Sequence, residues 1–162
     1  MPEGAAAERV EIRRAEPGEA EALTALSLRS KASWGYDEAF MAAAAAELAL
    51  SPEQLARYPA YVLEAEGRVA GFYLLEPVNE REVELSALFV EPDAIGRGYG
   101  RRLMEHAITT AKRLGYRAML IHSDPNAEPF YRAMGAEPIG TVPSGSIPGR
   151  TLPLLRVDLE HA

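Results

Sequence analysis

Residues 82–122 hold the feature that most narrows the fold. A run with the alternation of a strand, residues 82–90, leads into a loop with glycines at 96, 98 and 100. The loop opens a helix whose apolar positions Leu103, Met104, Ala107, Ile108, Ala111 and Leu114 form one stripe, with Gly115 just past its end. A further apolar run at residues 117–122 completes a strand, helix, strand unit. In the first run Val83, Leu85, Ala87 and Phe89 alternate with Glu84, Ser86, Leu88 and Val90. Neither set is wholly polar, so both faces of this strand are expected to be covered by other elements.

Around that unit the periodicities mix strands with helices. Residues 10–14 alternate as a half-buried strand and end at Pro17-Gly18. Ala22, Leu23 and Leu26 recur at helical spacing from Glu19 to about Arg29. An aromatic loop, Ser33-Trp34-Gly35-Tyr36-Asp37, separates this helix from an Ala-rich one that Asp37 can cap. Ser51, Pro52 and Glu53 read as the start of a single helical turn. Residues 61–66 and 68–75 read as a hairpin turning at Gly67, residues 126–134 as a short helix, and residues 137–142 and 152–159 as closing strands. The polar loop at residues 143–150 joins the last two. The class is mixed α and β, and with no repeat or linker in 162 residues one domain spanning 1–162 is expected.

Composition removes several functions. The longest apolar run, residues 39–46, is far short of the roughly 18 residues that cross a bilayer, so no membrane partner is expected. The opening Met1-Pro2-Glu3-Gly4 has neither the basic nor the apolar part of a secretory leader, which points to the cytoplasm. With no cysteine, a thiolate zinc site and a cysteine nucleophile are excluded, and His106, His122 and His161 are too scattered for a metal motif. A formal charge of −7 opposes attraction to nucleic acid.

Glycines before a helix let the backbone approach a ligand, and the free amides there favour an anion such as a diphosphate. A plain sharp turn fits the same glycines equally well. The spacing matches neither G-x-G-x-x-G nor the Walker pattern. The segment Leu88-Phe89-Val90-Glu91-Pro92-Asp93-Ala94-Ile95-Gly96-Arg97-Gly98-Tyr99-Gly100-Arg101-Arg102-Leu103 resembles the coenzyme A loop of the GNAT N-acetyltransferases, Gln/Arg-x-x-Gly-x-Gly/Ala. Gly98 and Gly100 match it, whereas Ile95 stands where the family has Gln or Arg. Downstream, Asp124-Pro125-Asn126-Ala127-Glu128-Pro129-Phe130-Tyr131 with Gly135 resembles the family's Asn, Ala, Phe-Tyr and Gly signature. Asp124 holds the place of the usual Asn, so either it or Asn126 is expected to meet the cofactor.

The resemblance implies a mostly antiparallel sheet of about seven strands containing a splayed parallel pair, flanked by about four helices. It implies acetyl-CoA bound by main-chain groups of Leu88, Phe89 and Val90, by Gly96, Arg97, Gly98, Tyr99, Gly100 and Arg101, and by Asn126 and Tyr131. Tyr131 is then the expected general acid, against a plain role packing beside Phe130. Glu84, on the strand where many members carry a glutamate, is the expected base, with Ser86 beside it. His122 is a second candidate for base or substrate contact, set against an ordinary structural histidine. No metal takes part in this scheme.

Trp34 and Tyr36 can wall a substrate, and Arg150 can pair with a carboxylate. The same aromatics equally suit a helix connection. The function implied is transfer of an acetyl group from acetyl-CoA to a primary amine, on a small molecule or a peptide, within a ternary complex. A non-catalytic acyl-CoA binding or sensing domain and a cofactor-free peptide-binding module are the other classes, and a homodimer is a further expectation.

Overall fold

The computed structural model describes residues 8–160, so the Met1 opening and His161 lie outside the described residues. The strands are β1 (Val10–Arg14), β2 (Ala60–Ala65), β3 (Arg68–Pro77), β4 (Glu82–Val90), β5 (Ala118–His122), β6 (Glu137–Pro143) and β7 (Thr151–Asp158). The helices are α1 (Ala20–Ala32), α2 (Glu38–Leu48), α3 (Pro52–Arg57), α4 (Tyr99–Arg113) and α5 (Glu128–Ala133). One seven-stranded sheet runs in the order β1-β2-β3-β4-β5-β7-β6. Every neighbouring pair is antiparallel except β4 and β5. The sheet matches the sequence expectation, and the single turn after Ser51 is a complete fifth helix.

Local chemistry accounts for the boundaries. Glu66 and Gly67 both have positive φ, at 53° and 79°, the backbone of a tight turn whose twist suits a hairpin. Ser51 accepts from the Gln54 amide while the Gln54 side chain accepts from the Ser51 amide, a reciprocal cap that stabilises a six-residue helix. Asp37 accepts from the Phe40 amide at the start of α2. Helix α4 ends with Tyr116 donating to Ala111 O and Gly115 to Lys112 O. Gly115 supplies the left-handed residue that this paired arrangement requires. Leu114, which the spacing makes the last member of the apolar stripe, is instead half exposed and stands as the cap residue just past the end of the helix.

Two apolar layers cover the sheet. One face packs Leu103, Met104, Ala107 and Ala111 of α4 and Tyr131 of α5 against Tyr73, Leu75, Val83, Leu85, Met119, Ile121 and Leu155. The other packs Leu23 and Leu26 of α1 and Leu55 of α3 against Val62, Phe72, Leu74 and Ala87. Both faces of β4 are therefore covered, as expected, but the simple alternation is not kept. Leu74 pairs with Ala87 and Leu75 with Leu85, so Ser86 is an extra residue in β4 opposite the β3 ladder. Across this bulge the faces exchange: Val83 and Leu85 share the α4 layer with Leu88 and Val90, while Ala87 and Phe89 join the α1 layer.

The parallel contact is brief. Only Glu82, Val83 and Glu84 pair with Ala118, Met119 and Leu120; beyond them β5 stays with β7 and β4 stays with β3. Gly71 of β3 permits the close approach that holds the end of β4. A Cβ there would stand 2.8 Å from Phe89 O and 2.9 Å from Leu103 Cδ1. One of those atoms is backbone and cannot swing aside. Gly71→Ala is expected to lower unfolding free energy by about 2 kcal/mol through overpacking. Gly18→Ala, where a Cβ meets nothing within 4 Å, is expected to stay within about 0.5 kcal/mol of the parent in the same urea melts.

Candidate active site

Where β4 and β5 part, a cleft of about 530 Å³ opens. Its walls include Leu88 and Val90 of β4, Gly98 and Gly100 at the start of α4, and Tyr131 of α5. The Glu91 amide donates to Ala70 O of β3. Because amides alternate in direction along a strand, that of Phe89 also points to β3, and those of Leu88 and Val90 point to the open edge. Beyond Glu84 that edge has no strand partner. It is a row of main-chain donors and acceptors left for a ligand.

The loop after β4 turns through Gly96 and Gly98, at φ 92° and 81°, and α4 begins at Tyr99. None of the amides of residues 96–101 donates to a protein acceptor among the described residues. At Gly100 a Cβ would come no nearer than 3.5 Å to Phe130, so this glycine leaves the helix start open toward the cleft. The side chains of the loop also have protein partners, and Arg101 lines the cleft. Tyr99 is buried beneath the helix with its hydroxyl on Glu8, Arg97 lies 3.6 Å from Glu8, and Arg101 lies 3.7 Å from Glu105. Ile95, in place of the family's Gln or Arg, is exposed.

An ion pair secures the loop from behind. Arg29 of α1 grips the buried Glu91 through two bonds, 3.0 and 2.6 Å, at the residue where β4 ends. Arg68 reaches Asp93 at 3.0 Å. Neither Arg29 nor Glu91 stands out in the sequence, since a helical arginine and a strand-end glutamate usually face water.

Tyr131 is 7% exposed and its hydroxyl has no hydrogen-bond partner among the described residues. Burial, aided by the charge of Asp124, pushes the phenol well above its ordinary range, so it stays protonated. The backbone around it is held by a second helix cap, with Ala136 donating to Tyr131 O and Gly135 to Arg132 O. Phe130 stacks edge-on against the Tyr131 ring at 5.2 Å.

Glu84 and His122 come together at the far end of the parallel pair, with Nδ1 to Oε2 at 3.9 Å. Burial raises the Glu84 carboxyl, the neighbouring His122 lowers it, and the charges of Glu76 and Glu47 raise it again; the net direction is up. His122 is exposed, lines the cleft, and its side chain makes no hydrogen bond among the described residues. Ser86 is directed elsewhere, donating to Leu74 O at 3.3 Å from the bulge.

The third group joins the aromatic loop to the last loop. The Tyr36 hydroxyl donates to Asp124 at 2.8 Å and accepts from Asn126 Nδ2 and from Arg150 Nη2. Asp124 also accepts from Lys31 Nζ at 2.8 Å and from the Asn126 amide. Tyr36 stacks on Phe40 at 3.9 Å, and the Arg150 guanidinium lies over the Phe40 ring at 4.8 Å. Tyr36 thus organises the wall, and the cleft itself meets Trp34, Lys31, Asp124, Asn126 and Arg150. Trp34 is half exposed and free of that network. Burial pushes the Asp124 carboxyl up, but bonds from Lys31, the Asn126 amide and Tyr36 together outweigh it and hold the group below the usual Asp range. Lys31, Phe40 and Glu47 do not stand out in the sequence; alone each reads as an ordinary helix residue.

Comparison with known proteins places this architecture. The family described as Acetyltransferase (GNAT) matches residues 25–136. Peptidyl-lysine N-acetyltransferase YjaB of Salmonella typhimurium is 34% identical over 73 residues, covering 45% of this chain and 48% of that protein. The 5-NmdU N-acetyltransferase of Pseudomonas phage PaMx11 is 31% identical over 97 residues, covering 59% of this chain and 66% of that protein. The chain spans about half the length of the curated relatives it matches. The crystal structure of PaiA N-acetyltransferase from Thermoplasma acidophilum with coenzyme A superposes with TM-score 0.76 at 18% identity, covering 93% of this chain and 99% of that one. That likeness shows the fold. No group of three or more His, Cys, Asp or Glu among the described residues could hold a metal ion, and no described helix is long and apolar enough to cross a membrane.

Removing the Asp124 charge strands Lys31 and Arg150 in a half-buried wall. Asp124→Asn is expected to cost about 2 kcal/mol or more at pH 7. Because the folded carboxyl is held low, its contribution is present above the unfolded Asp range and lost as pH falls through the folded value. Urea melts at neutral and acid pH are expected to show the deficit of the variant shrinking toward low pH.

Proposed function

The chain belongs to the GNAT acetyltransferase family, and from that premise we propose that it carries an acetyl group from acetyl-CoA to a primary amine by direct transfer in a ternary complex. As a member it is an acyl-CoA-dependent N-acyltransferase. The observation that carries the reading is the edge of β4 opened by the splay from β5, leading at one end to the free amides of residues 96–101 and flanked by the unpartnered hydroxyl of Tyr131. An anionic diphosphate and an arm containing amides suit the chemistry of those groups. When bound, the thioester supplies an acyl carbon already activated toward attack.

The amides of residues 96–101 and the positive end of α4 hold the diphosphate. Ile95 offers no polar side chain there, so the grip is main-chain in character. Leu88 and Val90 hold the arm through their edge groups, as an added strand would be held. Phe89 contributes by packing against the α1 layer, since its amide is turned to β3. Asn126 keeps Tyr36 and Asp124 in register and presents its remaining polar surface to the cleft. Transfer forms an N–C bond and breaks a C–S bond. The Glu84 and His122 pair accepts the proton leaving the amine, through water, and Tyr131 donates a proton to the departing sulfur. Trp34 and Arg150 face the acceptor. The Salmonella relative bears the name of a peptidyl-lysine acetyltransferase, and a lysine amine is one chemistry that such a cleft serves.

Three measurements test this reading. A hundredfold excess of acetyl-CoA over its Kd is expected to stabilise the fold by about 2.7 kcal/mol, seen as a rise in Tm; no shift and no calorimetric heat would remove the proposal. Tyr131→Phe is expected to lower kcat on the order of 10²-fold while the Kd for acetyl-CoA stays within about twofold. In kcat/KM against pH, the raised Glu84 places the acid limb above the ordinary carboxylate range of about 4.3, because the base is lost as it gains a proton. Glu84→Gln is expected to erase that limb, and an unchanged profile would take the role from Glu84.

A further inference from the structure

Two cations of the cleft wall, Lys31 and Arg150, share one close carboxylate, Asp124, while Glu47 also lines the cleft. Lys31 and Arg150 both address Asp124, at 2.8 and 3.8 Å, with side-chain exposures of 14%, 20% and 12% for Lys31, Arg150 and Asp124. One carboxylate cannot neutralise two cations, and Asp124 is held ionised by the bonds around it. The other polar members are neutral: the Tyr36 phenol already donates to Asp124, and the Asn126 side-chain amide donates to both.

The hydrogen-bond count shows the same deficit. A guanidinium has five N–H groups; Arg150 uses one, Nη2 to the Tyr36 hydroxyl at 2.9 Å, and the others have no protein acceptor among the described residues. An ammonium has three, and Lys31 uses one on Asp124. Aromatic rings flank both cations, with the Arg150 Cζ 4.8 Å from the centre of Phe40 and 5.4 Å from that of Tyr36, and Lys31 Nζ 5.4 Å from that of Tyr36. The rings and the Tyr36 hydroxyl hold the guanidinium in place, and its unused N–H groups suit a planar oxyanion. Both cations line the cleft that also holds Tyr131 and His122.

Resting on the acyl-transfer reading above, we propose that Arg150 and Lys31 form a carboxylate-binding subsite, so that the acceptor is a small zwitterion of the amino-acid type, with a carboxylate close to its amine. Such a molecule can meet both this subsite and the acidic residues nearby, where Glu47 and His122 line the same cleft and Glu84 lies 3.9 Å from His122. Its carboxylate completes the coordination of Arg150 and Lys31, and its ammonium group is drawn to the Glu84, Glu47 and His122 side, where it gives up a proton. A polyamine is disfavoured where its second cation would lie against Lys31 and Arg150. A neutral monoamine would leave the donors of Arg150 unpaired and dry.

The test compares acids with their amides. Purified enzyme with acetyl-CoA is assayed for thiol release against the common L-amino acids, the carboxamide of each, and putrescine and spermidine. At least one acid is expected to exceed its own amide in kcat/KM by about tenfold or more, the worth of a charge-assisted pair. Calorimetry in the presence of coenzyme A is expected to give the same order for binding, independent of turnover. Arg150→Gln and, separately, Lys31→Gln are expected to raise the acceptor KM and erase the preference for the acid, with the KM for acetyl-CoA unchanged and Arg150→Lys intermediate. Equal use of acids and amides, preference for the polyamines, or a rise in the acetyl-CoA KM in place of the acceptor KM would each overturn the subsite. Binding of acetyl-CoA without any response to the acids would overturn it alone; loss of acetyl-CoA binding as well would remove the acyl-transfer reading beneath it.

Discussion

The site of this protein exists because β4 and β5 separate after three paired residues. A parallel pair extended to the end of both strands would satisfy the main-chain groups of Leu88 and Val90 and leave no cleft. Two features hold the strands apart. The extra residue at Ser86 re-aims the second half of β4, sending Leu88 and Val90 to the α4 layer. Gly71 lets β3 press close under Phe89 and Leu103, so the diverging half keeps its own antiparallel partner. The unpaired edge would cost free energy if it were buried and dry, and it is tolerated because it faces a cleft.

A second theme is how charge is arranged on an acidic chain. The net charge is −7, yet the cleft is bordered by free main-chain amides and a few fixed cations. Main-chain donors need no reorganisation, and the Arg29–Glu91 pair behind the loop anchors them to α1. At the acceptor end, the Tyr36–Phe40 stack and Asp124 hold Arg150 and Lys31 in place. The loops there, residues 33–37 and 143–150, are joined by this network.

Much of this is readable along the chain. The glycines at 96, 98 and 100, the stripe along α4, the hairpin at Gly67 and the Phe130-Tyr131 pair each announce themselves by local spacing. The exchange of faces at Ser86 is not readable, since a bulge adds one residue to a strand without disturbing its composition. Leu114 misleads because periodicity continues one step beyond the cap that ends the helix. His122 is ambiguous because type and position alone do not show which side of a strand end is open. Lys31 and Glu91 stay hidden for a related reason: their partners lie 93 and 62 residues away.

The chain's own order of residues determined the elements, the loop of free amides at the start of α4 and the identity of the phenol at 131, because these depend on neighbours within a few positions. Tertiary structure alone decided that β4 would part from β5, that Tyr131 would be buried without a partner, and that Lys31 and Arg150 would share one aspartate. Those outcomes follow from the meeting of distant segments, where packing and charge act through space and leave no periodic trace along the chain.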